Sequence, residues 1–168
     1  TKAVATIVAA RPQAVVQISA YASCAAFIRE ARKAGYGGTF YNVSFVGTQA
    51  LADELGKDGA GVVISQVVPN PFSTARPITR DFLDAIERGG NKVQPNFSSF
   101  EGYLAARMLT EGARRAGGRL NPDSLVNGLE AIGDTSFGGF SISLGPNNHV
   151  ASKFAELSML TGDGKVRT

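Results

Sequence analysis

The sequence predicts an α/β protein built on a parallel sheet. Three observations carry this. Short β-branched runs alternate with helical segments at the lengths of β-α-β units, glycine or proline marks most changes of element, and the strand runs are apolar enough for burial in a parallel sheet. The chain has 168 residues, 43% apolar and 18% charged. That is the balance of a globular protein, with length for a substantial core in one or two small domains.

The first run, Ala3 to Ala10, lacks a decisive period, and its place ahead of Arg11-Pro12 and a strand favours the tail of a helix. Ala14-Val15-Val16-Gln17-Ile18-Ser19 is a short β-branched stretch bounded by Pro12 and a small polar loop, as in a buried parallel strand. Ser23 is placed to cap a helix from Cys24 to Ala34, with Phe27, Ile28 and Ala31 on one face and Gly35 as its left-handed stop. Thr39 to Phe45 is the next strand, Gly47 to Gly56 a second helix with Leu51 and Leu55 at helical spacing, and Gly61 leads into the strand Val62 to Val68. Such a sheet wants an earlier strand. The opening Thr1 and the lack of a charged-then-apolar leader fit a chain that is processed or cut from something longer.

At Pro69-Asn70-Pro71 two prolines end the strand and fix an extended connector, so a domain crossing is placed there. Three helices follow: Pro77 to Arg88, Ser98 to Ala116 and Pro122 to Ile132. Ser98 and Glu101 stand at capping-box spacing, and Asn121-Pro122 supplies a cap followed by proline in the first helical position. Phe140 to Leu144 and Phe154 to Leu160 both alternate, which reads as a hairpin-like pair across the turn at Gly145-Pro146-Asn147-Asn148. Gly162-Asp163-Gly164-Lys165 is a final turn.

The net charge is +3, and the densest basic group is Arg107, Arg114, Arg115 and Arg119. Near a helix end these complement the helix dipole; a nucleic-acid footprint would need an aromatic platform or basic stripe beside them. Cys24 is the sole cysteine and His149 the sole histidine. An intramolecular disulfide and a cysteine-rich metal site are therefore excluded, and Cys24 suits a small packed position. His149 sits in a turn and reads as a solvated loop residue.

The glycines at 35, 37 and 38 and at 56, 59 and 61 precede strands, where a phosphate loop must follow one, so they read as turn glycines. Neither Ser44 nor Ser136 has the small neighbours of a hydrolase elbow. Asp53, Glu54, Asp81 and Asp84 lie on helix surfaces as solvated charges. No enzyme chemistry and no cofactor is expected.

Open α/β sheets bind ligands beyond the carboxyl ends of their strands. Ser19-Ala20-Tyr21-Ala22-Ser23 follows the first strand, and Ser44-Phe45-Val46-Gly47 the second. Small residues leave room and expose backbone N–H groups, and Tyr21 and Phe45 either form an apolar wall of a small-molecule site or merely cover the sheet edge.

The sequence resembles the second half of the solute-binding proteins of ABC importers, of the leucine/isoleucine/valine-binding type. The likeness rests on Pro12-Gln13-Ala14-Val15-Val16, Ala25 to Gly35, Gly59-Ala60-Gly61-Val62, Phe100-Glu101-Gly102-Tyr103-Leu104-Ala105-Ala106, Phe137 to Ile142, His149 and Gly162-Asp163-Gly164-Lys165. It spans nearly the whole chain. The resemblance implies a type I periplasmic-binding-protein-like fold, two α/β lobes with parallel sheets and helices on both faces, of which only the later half is present. Residues 1–68 fall in the second lobe, 69–150 in the first, and 151–168 return toward the second.

It also implies a periplasmic or extracellular location, a small solute, and a membrane permease as partner. The resemblance places ligand contacts on Ala20 or Tyr21 and on Ser44, and the strand-end loops add Ser19 and Phe45 to the candidate ligand-binding residues. Where amino-acid binders of the family place a glutamate to receive the ammonium group, this sequence has Ser44. An unpaired buried ammonium is costly, so the ligand expected is an apolar or aromatic acid more than an ordinary amino acid. The alternative is a ligand-sensing domain of a receptor or regulator. Missing half of each lobe, the piece is expected to self-associate through exposed strand edges or to be accompanied by the missing portion.

Overall fold

The structure, a computed structural model, describes residues 2–118 and 120–168. Arg119 of the basic group thus lies outside the described residues. The chain divides into two compact units. Thr1–Gln66 with Ala155–Thr168 form the first, and Val67–Phe154 the second.

The first unit opens with α1 (Lys2–Ala9), β1 (Ala14–Gln17) and α2 (Tyr21–Lys33). The expected Ser23 cap is not used. Ala20 takes the cap position in extended conformation, and its carbonyl accepts the Cys24 N–H at 3.1 Å, so α2 starts three residues before Cys24. The start is exposed at Tyr21, Ala22 and Ser23, where water can satisfy the leading N–H groups without a side-chain cap. At its other end the expected Gly35 stop forms. Gly35 has φ +84°, its N–H meets Arg32 O at 3.0 Å, and Tyr36 N–H meets Ala31 O at 2.9 Å, which is a Schellman closure.

β2 (Thr39–Val43) ends two residues earlier than its β-rich composition suggests, because Ser44–Val46 coil into a short 3-10 helix before Gly47 (φ +78°). α3 (Thr48–Leu55) and β3 (Val63–Gln66) follow. β1 and β2 pair in parallel from Ala14↔Thr39 to Gln17↔Asn42, and β2 and β3 in parallel from Tyr41↔Val63 to Val43↔Ser65.

The second unit is helical with one hairpin: α4 (Pro77–Arg88), α5 (Phe97–Ala116), α6 (Pro122–Glu130), β4 (Gly133–Phe137) and β5 (Phe140–Leu144). The capping box of α5 is Asn96 with Ser99, where Ser98 with Glu101 was expected. Asn96 Oδ1 accepts the Ser99 N–H at 2.9 Å and Ser99 Oγ accepts the Asn96 N–H at 3.0 Å. Asparagine is as good a cap as serine, and it stands two residues earlier. Asn121 caps α6 with Pro122 inside, as the sequence indicates. Phe82 stacks on Phe100 at 4.6 Å between ring centroids in a buried core with Ile78 and Leu104.

The expected hairpin between Phe140–Leu144 and Phe154–Leu160 does not form. β5 pairs antiparallel with β4 through the two-residue turn Gly138-Gly139, both at positive φ, the geometry that tight hairpins prefer. The later strand belongs to the first unit. β6 (Glu156–Leu160) joins β3 antiparallel, and β7 (Val166–Arg167) joins β6, giving the order β1-β2-β3-β6-β7.

Strand alternation sets the core of the first unit. Phe40, Ile64 and Leu160 bury against Ala25, Ile28, Leu51 and Leu55 of α2 and α3, with Val4 of α1 joining the same cluster. The opposite sheet face is open, with Val16 69%, Leu157 61% and Met159 45% exposed.

Candidate functional site

β1 and β2 are parallel neighbours, so both deliver their carboxyl ends to one edge of the sheet, with Gln17↔Asn42 as the last pair. Beyond it, Ile18-Ser19-Ala20 leads to Tyr21, the first residue of α2, and Ser44–Val46 lead through Gly47 to α3. The fold thus brings the two sequence-predicted segments to the same edge. Ser19 is half-buried, its carbonyl accepting the Cys24 thiol at 3.5 Å. Ala20 is the exposed helix cap. Tyr21 is 43% and Phe45 72% exposed, and Ser44 is half-buried, with its carbonyl accepting the Gly47 N–H at 3.1 Å.

The electrostatics follow from composition. Residues 18–23 and 44–48 include no acid or base, and α2 has neither a capping side chain nor an acidic residue in its first turn. The leading N–H groups of a helix carry partial positive charge, so the start of α2 presents donors of the kind that suit an anion. Among the described residues no hydrogen bond engages the hydroxyls of Ser19, Tyr21 or Ser44. Cys24 is buried, and desolvation raises its thiol above the ordinary range. It packs, as expected.

The remaining candidates are placed elsewhere. His149, 67% exposed at its side chain, meets Glu130 at 2.9 Å on the rim of an apolar groove of about 420 Å³ lined by Ala105, Met108, Leu129 and Leu144. Its partner stands nineteen residues away, too far for local sequence reading to find. Arg107 pairs with Asp81 at 2.7 Å, and Arg114 and Arg115 both grip Glu111 at 2.7 and 2.6 Å. Among the described residues no helix is long and apolar enough to cross a membrane, and no cluster of three metal-ligating side chains occurs.

The neutral, helix-flanked ends of the parallel strands β1 and β2 lie where open α/β sheets generally hold small molecules. The sequence model of the family described as "Periplasmic binding protein" matches residues 1–163, and the chain belongs to that family. Solved structures agree. A possible leucine/isoleucine/valine-binding protein from Rhodopirellula baltica SH 1 is 33% identical with a TM-score of 0.87, covering 93% of this chain and 42% of that one. A substrate-binding periplasmic protein from Ralstonia solanacearum is 28% identical (TM-score 0.87; 98% and 48% covered). An extracellular ligand-binding receptor from Verminephrobacter eiseniae is 25% identical (TM-score 0.84; 99% and 48% covered).

The chain therefore spans about half the length of these proteins. No curated protein matches it. The α/β, type I periplasmic-binding-protein-like fold expected from the sequence, with its later half present, is borne out, and with it a periplasmic or extracellular setting.

Proposed function

We propose that the protein carrying this chain is the solute-binding component of an ABC-type importer for branched-chain amino acids or related small organic solutes, with an apolar or aromatic acid as the favoured ligand. In this reading the first unit is part of the second lobe, the second unit is part of the first lobe, and Pro69-Asn70-Pro71 is one hinge crossing. The solute is held by Ser19, Ala20, Tyr21, Ser44 and Phe45, a membrane permease receives it, and no bond is made or broken. The observation that carries the choice of ligand is the neutral strand edge. Exposed Tyr21 and Phe45 offer apolar surface, the uncapped start of α2 offers N–H donors to a carboxylate, and Ser44 leaves an ammonium group without a carboxylate partner.

Calorimetric titration of the intact protein with leucine, isoleucine, valine and a series of aromatic acids tests this. Tight binding of an aromatic acid supports it, and preferential binding of leucine overturns the choice of ligand. A second reading, a ligand-sensing domain of a receptor or regulator, is favoured by the likeness to an extracellular ligand-binding receptor. Uptake of the bound solute by cells carrying the intact protein, lost on its deletion, separates import from sensing.

A further inference from the structure

We propose that the helix-covered face of the first unit's sheet encloses a buried water site held by the side-chain amides of Gln17, Asn42 and Gln66. Asn42 is 3% exposed, and neither its Oδ1 nor its Nδ2 has a hydrogen-bond partner. Gln66 is fully buried. Its Nε2 donates to Thr48 Oγ1 at 2.9 Å and to Ser158 Oγ at 2.6 Å, while its Oε1 has no partner. Gln17 Nε2 reaches Cys24 O at 3.5 Å, and its Oε1 is buried without a partner.

The register brings these groups together. Gln17 and Asn42 are direct partners in the β1–β2 ladder, so their side chains leave the same face from strands about 5 Å apart. Asn42 is in turn the partner of Ile64, and Gln66 is the next residue of β3 on that face. The three amides cluster toward the carboxyl end, Gln17 and Asn42 level with Ile64 and Gln66 one same-face position further along β3.

The unmet groups point to water. Asn42 Nδ2 has no acceptor and the three amide oxygens have no donors, so the amides do not bond one another. Each buried group left unmet weakens folding by roughly 5- to 150-fold. Water supplies two protons and accepts from Nδ2 in return, and buried waters are held in this way by two to four polar groups. A cation would satisfy the oxygens, but among these amides and hydroxyls it would lie without a counter-charge.

The site lies directly under the candidate ligand edge, since Gln17 precedes Ile18 and Asn42 stands two residues before Ser44. The bridge accordingly acts as a positioning element for both segments. It does not depend on which solute the edge binds.

A high-resolution crystal structure of the intact protein, with water-to-amide NMR cross-peaks for Asn42 and Gln17, tests the proposal. The expected result is an ordered water within hydrogen-bonding distance of at least two of the three amides, unchanged between sodium and potassium salts. Gln17→Leu and Asn42→Leu should each lose that cross-peak, lower the folding equilibrium constant about tenfold, and speed amide exchange at Ser19 and Ser44. The three amides bonded directly to one another with no water between them, or density that changes with the cation, would overturn it. If Asn42→Leu does not fold, Gln17→Leu at its half-buried position carries the test; an unchanged Asn42 cross-peak in that variant contradicts the bridge.

Discussion

Gly128 of α6 lies directly on the backbone of Gly112 in α5: a Cβ at position 128 would collide with the Gly112 carbonyl and come 2.8 Å from Ala116 N. Two helices approach this closely only where a side chain is missing. Gly128→Ala is therefore expected to push α6 off α5 and destabilise the second unit by about 3 kcal/mol. Urea unfolding followed by helix ellipticity checks it, and an unchanged midpoint counts against the contact.

The β4–β5 turn is the next sensitive point. Gly138 has φ +55°, and a Cβ there would lie 2.6 Å from Ile78 N, whose N–H donates to the Gly138 carbonyl at 3.0 Å. Gly138→Ala combines left-handed strain with a backbone clash. A loss of about 2 kcal/mol or more is expected, while Gly139→Asn, in the same turn with space around it, should cost less than 1 kcal/mol.

Ser158 joins the returning strand to the parallel ones. Its hydroxyl accepts from Gln66 Nε2 at 2.6 Å and donates to Ile64 O at 3.3 Å, all buried. Ser158→Ala leaves a buried amide proton without its acceptor, and about 1–3 kcal/mol should be lost. Thermal unfolding measures it, and hydrogen exchange should accelerate first along β6.

Glu111 gives a pH signature. Hydrogen bonds from Arg114 and Arg115 hold its carboxyl down to about 2, against an ordinary value of 4.5. A depressed folded-state value contributes stability that is complete above the ordinary value and disappears as pH falls toward the folded one. The loss accordingly falls between about 4.5 and about 2. Carboxyl NMR titration should place the Glu111 midpoint near the lower figure, and Glu111→Gln should flatten this part of the acid-unfolding profile.

At the proposed ligand edge, Tyr21→Ala and Phe45→Ala should each weaken binding of an aromatic acid by about tenfold through lost apolar contact without changing the melting temperature, since both side chains are exposed. Ser44→Glu should instead gain affinity for an α-amino acid, by placing a carboxylate where its ammonium group needs one. Titration of both ligand classes against the three variants reads the outcome.

Much of the fold is written in local chemistry. Gly35 ends α2, Pro77 starts α4, and Asn121-Pro122 starts α6, because caps and stops act within a few residues. The hairpin was also present in Phe137-Gly138-Gly139-Phe140, a strong two-residue turn signal, but alternation in Phe154–Leu160 competes with it. Alternation says that a strand has two unlike faces and nothing about which strand it joins; β6 joins β3, and nothing near Glu156 records that choice. The α2 start was missed because an exposed helix end folds without a capping side chain. For the candidate edge, Ser19 to Phe45 were legible as loops after strands, whereas the amide cluster beneath them needed the register of β1 with β2.

The antiparallel pairing of β3 with β6 has a consequence for the order of assembly. During synthesis Val63–Gln66 emerges before the whole of Val67–Phe154, so one side of β3 waits unpaired while the second unit is being made. If that unit folds first, it holds its two ends in place of a flexible span and lowers the loop-closure entropy that β6 must overcome. Glu156–Leu160 then zippers onto a waiting edge, and until it does that edge stays open to pairing with other strands.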